Sequence, residues 1–303
     1  MSKHEKLVDE GSMVFPYLLV ITGIILSALA IAESYFQMTK SEFTILGFLH
    51  DVGLLENYKI SLKPNRGIWH PIAWTGSAFF CLMMLYSVRK HFKFMYGLGS
   101  LRHWLNVHMW LGIVATVFVT THTTYKVGGL VSISFWSMIL VASSGVLGRY
   151  IYLQIPRGIS GNELKQDEVE EIMAEITDEL EKFVGSDPKI LTYSKLIAGP
   201  ANASETGVLK AIFTMIANDY TNFQKMSFIK KQMKKNSDIP PATRKRLMKL
   251  IREQGGLVRS NNFLTVSHRL LHYWHVFHKP FAVIMFIIMF LHIGIYYLFR
   301  VEA

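Results

Sequence analysis

The chain has 303 residues, half of them apolar, and a formal charge of +10 from 32 Lys and Arg against 22 Asp and Glu. Its single cysteine, Cys81, excludes a disulfide framework, a cysteine-ligated iron–sulfur cluster and a C-x-x-C-H attachment site for c-type haem. Charged residues gather in 1–12, around 89–102 and between 155 and 260. The apolar runs between them are long enough to cross a bilayer, which takes about 20 residues. In such a chain a basic excess marks loops on the cytoplasmic side and contact with anionic membrane lipids, and nucleic acid is not an expected partner.

Taken in chain order, residues 1–12 read as a cytoplasmic tail, and 13–32 as a first span that is retained rather than cleaved. Further spans are expected at 68–88, 104–124, 130–151 and 276–299. None of these runs contains Asp or Glu, and Tyr17, Trp69, Trp104, Tyr150, Tyr152, Tyr296 and Tyr297 gather near their ends as an aromatic belt requires. Arg89, Lys90, Lys93 and Arg102 in the second loop, and the bases of the long fourth loop, fall on one side. The positive-inside rule therefore puts the N-terminus inside and the C-terminus outside. The expected fold is all-α, a polytopic membrane helix bundle with five transmembrane helices. Residues 13–154 hold the first four spans, 155–263 a helical cytoplasmic insert, and 264–303 the fifth span with a short outer tail.

Within the insert, Val169, Met173, Ile176, Leu180 and Phe183 recur at spacings of three and four, which predicts an amphipathic helix in an acidic stretch. Residues 225–259 are strongly basic. Pro240 and Pro241 start a second predicted helix, which Gly255 and Gly256 are expected to stop. The opposite charges of the two stretches admit two readings, internal pairing or a docking platform for a cytoplasmic redox partner.

Twelve histidines supply the candidate chemistry. His108 and His122 in the third span are fourteen residues apart, as are His278 and His292 in the fifth. Fourteen residues bring two side chains to within about 40° of one helical face, about 21 Å apart along the axis. The third and fifth spans run parallel, because a single span separates them, so His108 faces His278 at one depth and His122 faces His292 at the other. Two imidazoles at one level supply both axial ligands of a haem iron, and the pattern predicts two b-type haems stacked across the membrane. The other choices break the alignment: His275 and His272 lie about 100° and 160° off the face of His292, and His103 about 100° off that of His122. A tetrahedral zinc site would need further ligands converging on one point, and neither Cys nor a carboxylate is near. Gly112 and Gly294 offer room for a porphyrin or for close helix packing. For the propionates, Arg102, Arg149 and Lys279 are candidates inside, and Arg66, Lys126 and Arg300 outside, each also fitting the role of interfacial anchor. His268, His272 and His275 line the approach to the fifth span. His70, in the sequence GIWHP, is a candidate for an outer quinone or partner site.

The paired histidines resemble those of the membrane part of the ferric reductase and NADPH oxidase superfamily, over residues 68–154 and 274–300. The stretch SSGVLGRYIYLQIPRG also resembles bacterial cytochrome b subunits of this type. The resemblance implies parallel helices holding two haems on His108, His122, His278 and His292. That superfamily's flavin and NADPH module has no counterpart in the sequence, which lacks a Gly-rich dinucleotide fingerprint. The expected role is therefore a bis-haem electron-transfer subunit of a redox complex in a prokaryotic cytoplasmic membrane. It would receive or deliver electrons at a cytoplasmic flavin or iron–sulfur subunit and, outside, at a c-type cytochrome, another acceptor or a quinone. A self-sufficient quinol or metal-ion reductase and a haem-free transporter or assembly protein are the alternative classes, the last lacking the intramembrane carboxylates of a proton relay.

Overall fold

The computed structural model describes residues 14–41, 43–56, 62–156, 164–183, 208–235 and 240–299. Among them there is no strand, and five helices are long and apolar enough to cross a membrane. The chain is an all-α, polytopic membrane protein. Its helices are α1 (Val14–Met38), α2 (Ile45–Asp51), α3 (Trp69–Met83), α4 (Leu85–His91), α5 (Leu101–His122), α6 (Val131–Leu153), α7 (Gln166–Glu181), α8 (Val208–Lys235) and α9 (Pro241–Leu298), with a 3-10 turn at Lys93–Met95. Two compact units result. Residues 10–147 and 276–303 form a membrane unit, and residues 148–275 a second, which contains the expected insert.

The membrane unit packs around Phe80, Met83, Leu111, Ala115, Met138 and Met285, drawn from α3, α5, α6 and the last part of α9. Small residues set how closely the helices approach. A Cβ at Gly76 of α3 would lie 3.0 Å from Val119 Cγ2 and 3.4 Å from the Ala115 carbonyl of α5. One at Gly23 of α1 would lie 3.0 Å from the Trp110 indole nitrogen. Such glycines let helix backbones approach where no aqueous hydrophobic force drives them together. Arg89, which sequence reading counts among the cytoplasmic bases, is buried. It donates to the Tyr96 and Gly99 carbonyls at 2.7 and 3.0 Å and so shapes the loop that leads into α5. Ser100 caps α5, accepting the His103 N–H.

The first span runs past its expected end at Ala32, to Met38, and the extra turns bring Glu33, Ser34 and Gln37 into the interior. Apolar periodicity could not register them, because what holds them is polar. The Glu33 carboxylate accepts the N–H groups of Ile45 and Leu46 at 2.8 and 3.2 Å and the Gln37 amide at 2.6 Å. Thr44 accepts the Gly47 N–H at 3.0 Å. Together they satisfy the orphan donors that begin α2, and a carboxylate suits the positive end of a helix.

In the second unit, Ile172, Ile176 and Leu180 of α7 pack with Ile229 and Met233 of α8 and with Leu247, Leu250 and Ile251 of α9. Val169 is buried on the same face, and Met173 and Phe183, also expected there, are partly buried. The acidic and basic stretches pair with each other: Glu179 binds Arg246, and Gln254 donates to Thr177 at 2.8 Å. Asp219 of α8 binds Arg259 of α9 and accepts the Tyr150 hydroxyl of α6 at 2.7 Å. Gly148 of α6 lies so close to Trp274 that any side chain there would collide with the indole.

The expected stop at Gly255 and Gly256 does not occur, since α9 continues through both, and through Pro280, to Leu298. Each glycine costs the helix about 1 kcal/mol relative to alanine. The buried residues Leu250 and Ile251 before the pair, and Phe263, Val266 and Leu270 after it, each contribute about 1.5–3 kcal/mol of burial. Packing wins over local propensity.

Glu33→Ala leaves the Ile45 and Leu46 N–H groups without their acceptor, a loss of about 1–3 kcal/mol. Thermal unfolding in detergent should show a lower midpoint, with a smaller drop for Glu33→Gln. An unchanged midpoint for the alanine variant would make the contact energetically neutral.

Candidate bis-histidine sites

Antiparallel α3 and α5 meet in a register that serves both α5 histidines. His108 Nδ1 donates to the Met83 carbonyl at 2.9 Å, and His122 Nδ1 donates to the Trp69 carbonyl at 3.0 Å. Met83 and Trp69 are themselves fourteen residues apart, so the two acceptors repeat the spacing of the two donors, with Gly76 against Ala115 midway. A local break makes one acceptor accessible. Between α3 and α4 the Met84 and Ser87 N–H groups bond three residues back, to Cys81 and Met84 at 3.1 and 2.9 Å, and the Met83 carbonyl beside them takes His108.

The fifth-span histidines come from α9. His278 Nδ1 lies 2.8 Å from Ser144 Oγ, whose own proton goes to the Val141 carbonyl at 2.9 Å. The hydroxyl therefore accepts from Nδ1–H. Farther along, Ser134 of α6 donates to the Met285 carbonyl at 3.0 Å and ties the same two helices together again.

These bonds fix the chemistry of three rings. A carbonyl oxygen only accepts, so Nδ1 carries the proton in His108 and His122, and Ser144 imposes the same tautomer on His278. Each Nε2 then keeps its lone pair, the form in which histidine ligates a metal, with the partner on the other nitrogen fixing ring orientation and raising basicity.

The structure brings the four residues together in two pairs. His108 and His278 line one narrow cleft of about 30 Å³, with Phe80, Gly112, Thr116 and Gly145 in its wall. His122 and His292 line a larger cavity of about 350 Å³, mostly apolar, whose wall includes Trp74, Phe135, Met138 and Met289. Among the described residues no three His, Cys, Asp or Glu side chains converge to hold a metal ion. The narrow cleft thus offers two imidazoles in apolar surroundings, and the larger cavity offers the His122 and His292 pair with His70 also in its wall. That donor set suits a metal whose remaining ligands come from a planar macrocycle, and it falls short of a tetrahedral protein site. The larger cavity has the ligand pair and an apolar, aromatic-rich wall of the kind a porphyrin face requires. The narrower one has the ligand pair and the glycine-lined wall, and its helices must part to admit a porphyrin.

Of the other expected residues, Gly112 lines the narrow cleft, whereas Gly294 meets nothing within 4 Å of a built Cβ. Lys126 and His70 line the larger cavity. The turn carrying Lys126 is sharp, with Thr124 and Tyr125 both in the left-handed region at φ 46° and 58°, uncommon for non-glycine residues and most of all for a β-branched threonine. His70 packs its ring 5.2 Å from that of Tyr296, another wall residue. Arg102, Lys279 and Arg66 are exposed and line neither cavity. Arg149 belongs to the second unit, where its guanidinium lies 5.5 Å from the Tyr152 ring centre. Arg300 lies outside the described residues. His268, His272 and His275 also belong to the second unit, and His275 Nδ1 is 2.7 Å from the Leu271 carbonyl.

Sequence reading assigns no role in the site to Ser144 and Gly145, although both lie in the stretch SSGVLGRYIYLQIPRG, nor to Tyr296, counted only in the aromatic belt, nor to the two carbonyl acceptors. The chain matches no protein-family model, no curated protein and no solved structure.

Gly76→Leu should force α3 away from α5 and disturb both carbonyl anchors at once. The overpacking itself costs about 1–3 kcal/mol. Hydrogen exchange at α3 and α5 should accelerate along the whole pair, and protection unchanged at both ends would refute the common register.

Proposed function

We propose that the chain is a bis-haem b-type cytochrome of the cytoplasmic membrane, an electron-transfer subunit related to the membrane part of the ferric reductase and NADPH oxidase superfamily. One observation carries the reading: two histidine pairs share two apolar cavities, and in three of the four rings the bond at Nδ1 leaves Nε2 as the lone-pair nitrogen. His108 and His278 would hold one haem, and His122 and His292 the other, about 21 Å apart along the helices by the rise of fourteen residues. When bound, each haem supplies a one-electron iron couple.

The protein's own residues do the rest. Met83, Trp69 and Ser144 orient the imidazoles and strengthen them as ligands. Phe80, Met138 and Met285 exclude water from the space between the helices. Lys126, in the wall of the larger cavity, would be the propionate partner on the His122/His292 side. Arg102, in the first turn of α5, and Lys279, within α9, would serve the other side if their long side chains turn back.

By the positive-inside argument the His108/His278 site faces the cytoplasm, where a flavin or iron–sulfur subunit would exchange electrons. The His122/His292 site faces outward, toward a c-type cytochrome or another acceptor. A second reading, a self-sufficient quinol reductase, draws support from the larger cavity, where His70, Tyr296 and Lys126 give polar groups to an otherwise apolar space of about 350 Å³. Bound quinone in the purified subunit would favour it.

Pyridine haemochrome assay with protein quantitation should give two haems per chain, both low-spin. One haem or none would end the scheme. His122→Ala and His292→Ala should each remove the same haem, and His108→Ala and His278→Ala the other. Matching spectra from His122→Ala and His278→Ala would refute the pairing.

Ser144→Ala should raise the midpoint potential of the His108/His278 haem alone, because a ligand whose Nδ1–H loses its acceptor donates less charge to iron. Redox titration with equal potential changes at both haems, or none, would remove Ser144 from that role.

A further inference from the structure

Helix α8 has two apolar faces. Ala211, Met215, Ile229 and Met233 are buried toward the core of the second unit. On the opposite side Phe213, Ile216, Tyr220 and Phe223, at spacings of three, four and three, are 69%, 49%, 65% and 74% exposed. Four large side chains in one continuous stripe are not the scattered apolar residues of an ordinary surface, and such a stripe marks contact with something else.

Three observations identify what covers it. First, the stripe is tied to the end of a membrane span. Asp219, within the same stretch of α8, accepts from the Tyr150 hydroxyl at 2.7 Å and from Gln154 Nε2 at 3.4 Å. Those residues stand at the end of α6, itself long and apolar enough to cross the bilayer. The middle of α8 is therefore tied to the end of that span. Second, the charge is one-sided. The helix carries Lys210, Lys225, Lys230, Lys231 and Lys234. Its single acid, Asp219, is bound to Arg259. Third, the stripe changes character along the helix: beyond Phe223 the same face continues through Ser227 to Lys231 and Lys234. Aromatic residues followed by lysines on one face suit the headgroup boundary, where rings sit among the upper acyl chains and lysine stems reach anionic phosphates.

We infer that α8 is an interfacial helix, seated on the anionic lipid surface of the bilayer through Phe213, Ile216, Tyr220 and Phe223. The inference does not rest on the haem reading. Because the sole native cysteine is Cys81, a Cys81→Ala background gives single labelling sites. The full chain is reconstituted into vesicles of phosphatidylcholine and phosphatidylglycerol, with nitroxide labels introduced by Phe213→Cys, Ile216→Cys, Tyr220→Cys and Phe223→Cys in turn. The ratio of oxygen to nickel-chelate accessibility should be severalfold higher at these four positions than at an exposed position of α7, read from Glu181→Cys. Four independent positions keep the test intact if one variant misfolds. Nickel accessibility equal to that at Glu181→Cys would place the face in water. Immobile labels closed to both reagents would mean a protein partner instead. Either result overturns the assignment.

Discussion

The register of α3 against α5 is the constraint on which the histidine arrangement depends. Gly76 opposite Ala115 lets the two backbones come close, and from that midpoint the helices run out to His108 beside Met83 and His122 beside Trp69. A slip by one residue would rotate the two faces by about 100° relative to each other and separate both rings from their carbonyls. Because the acceptors are backbone atoms of a packed helix, no side-chain rotation can withdraw them. The position of both rings is thus fixed by helix geometry, and the two sites are coupled to a single packing contact midway between them.

The last span is held differently, and the difference separates the two sites. His278 leans on a side chain, Ser144, whose hydroxyl is aligned by the Val141 carbonyl. His292 lies in a wider cavity, with an exposed ring. One partner of each pair is therefore rigid, and the other sits on a helix tied to α6 by serine hydroxyls at Ser134 and Ser144. The surroundings diverge as well. The narrow cleft has little polar lining beyond Thr116 and the histidines, whereas the larger cavity meets Lys126, His70 and Tyr296. On the proposed reading, the narrow site suits electron exchange alone, and the larger one has the room and the polar groups to meet a further molecule.

What was legible in the sequence follows from whether the signal was local. The spans were, since an apolar run of bilayer length needs no partner to be read. So was the spacing of His108 with His122 and of His278 with His292, because helix geometry turns it into a shared face. Glu33 was not: the apolar run ends just before it, and the donors it satisfies, at Ile45 and Leu46, lie beyond a turn. Ser144 and the Met83 carbonyl were illegible for the same reason, as each matters through a bond to another helix. Gly255 and Gly256 misled because local propensity was weighed without the burial of Ile251 and Phe263 on either side. Arg102 and Lys279 sit near the histidines in sequence, yet both are exposed and lie off the cavity walls, which proximity along the chain could not reveal.

The charged stretches of the insert carry one further step. Opposite charge in neighbouring segments admits internal pairing or attraction of a partner, and Glu179 with Arg246 and Asp219 with Arg259 commit part of it internally. The Glu179 pair, whose Arg246 guanidinium is exposed, contributes little, about 0–1 kcal/mol, and the unit is held chiefly by Ile176, Leu180, Ile229, Leu247 and their neighbours. The acid of α8 is taken up in this way, and the helix itself carries lysines with no second acid among them. Its long-range attraction is then for anions, and in a membrane protein the nearest dense anionic surface is the bilayer. The pairing of Asp219 thereby bears on which surface α8 would seek, and its exposed aromatic face is the one that such an attraction would bring into contact.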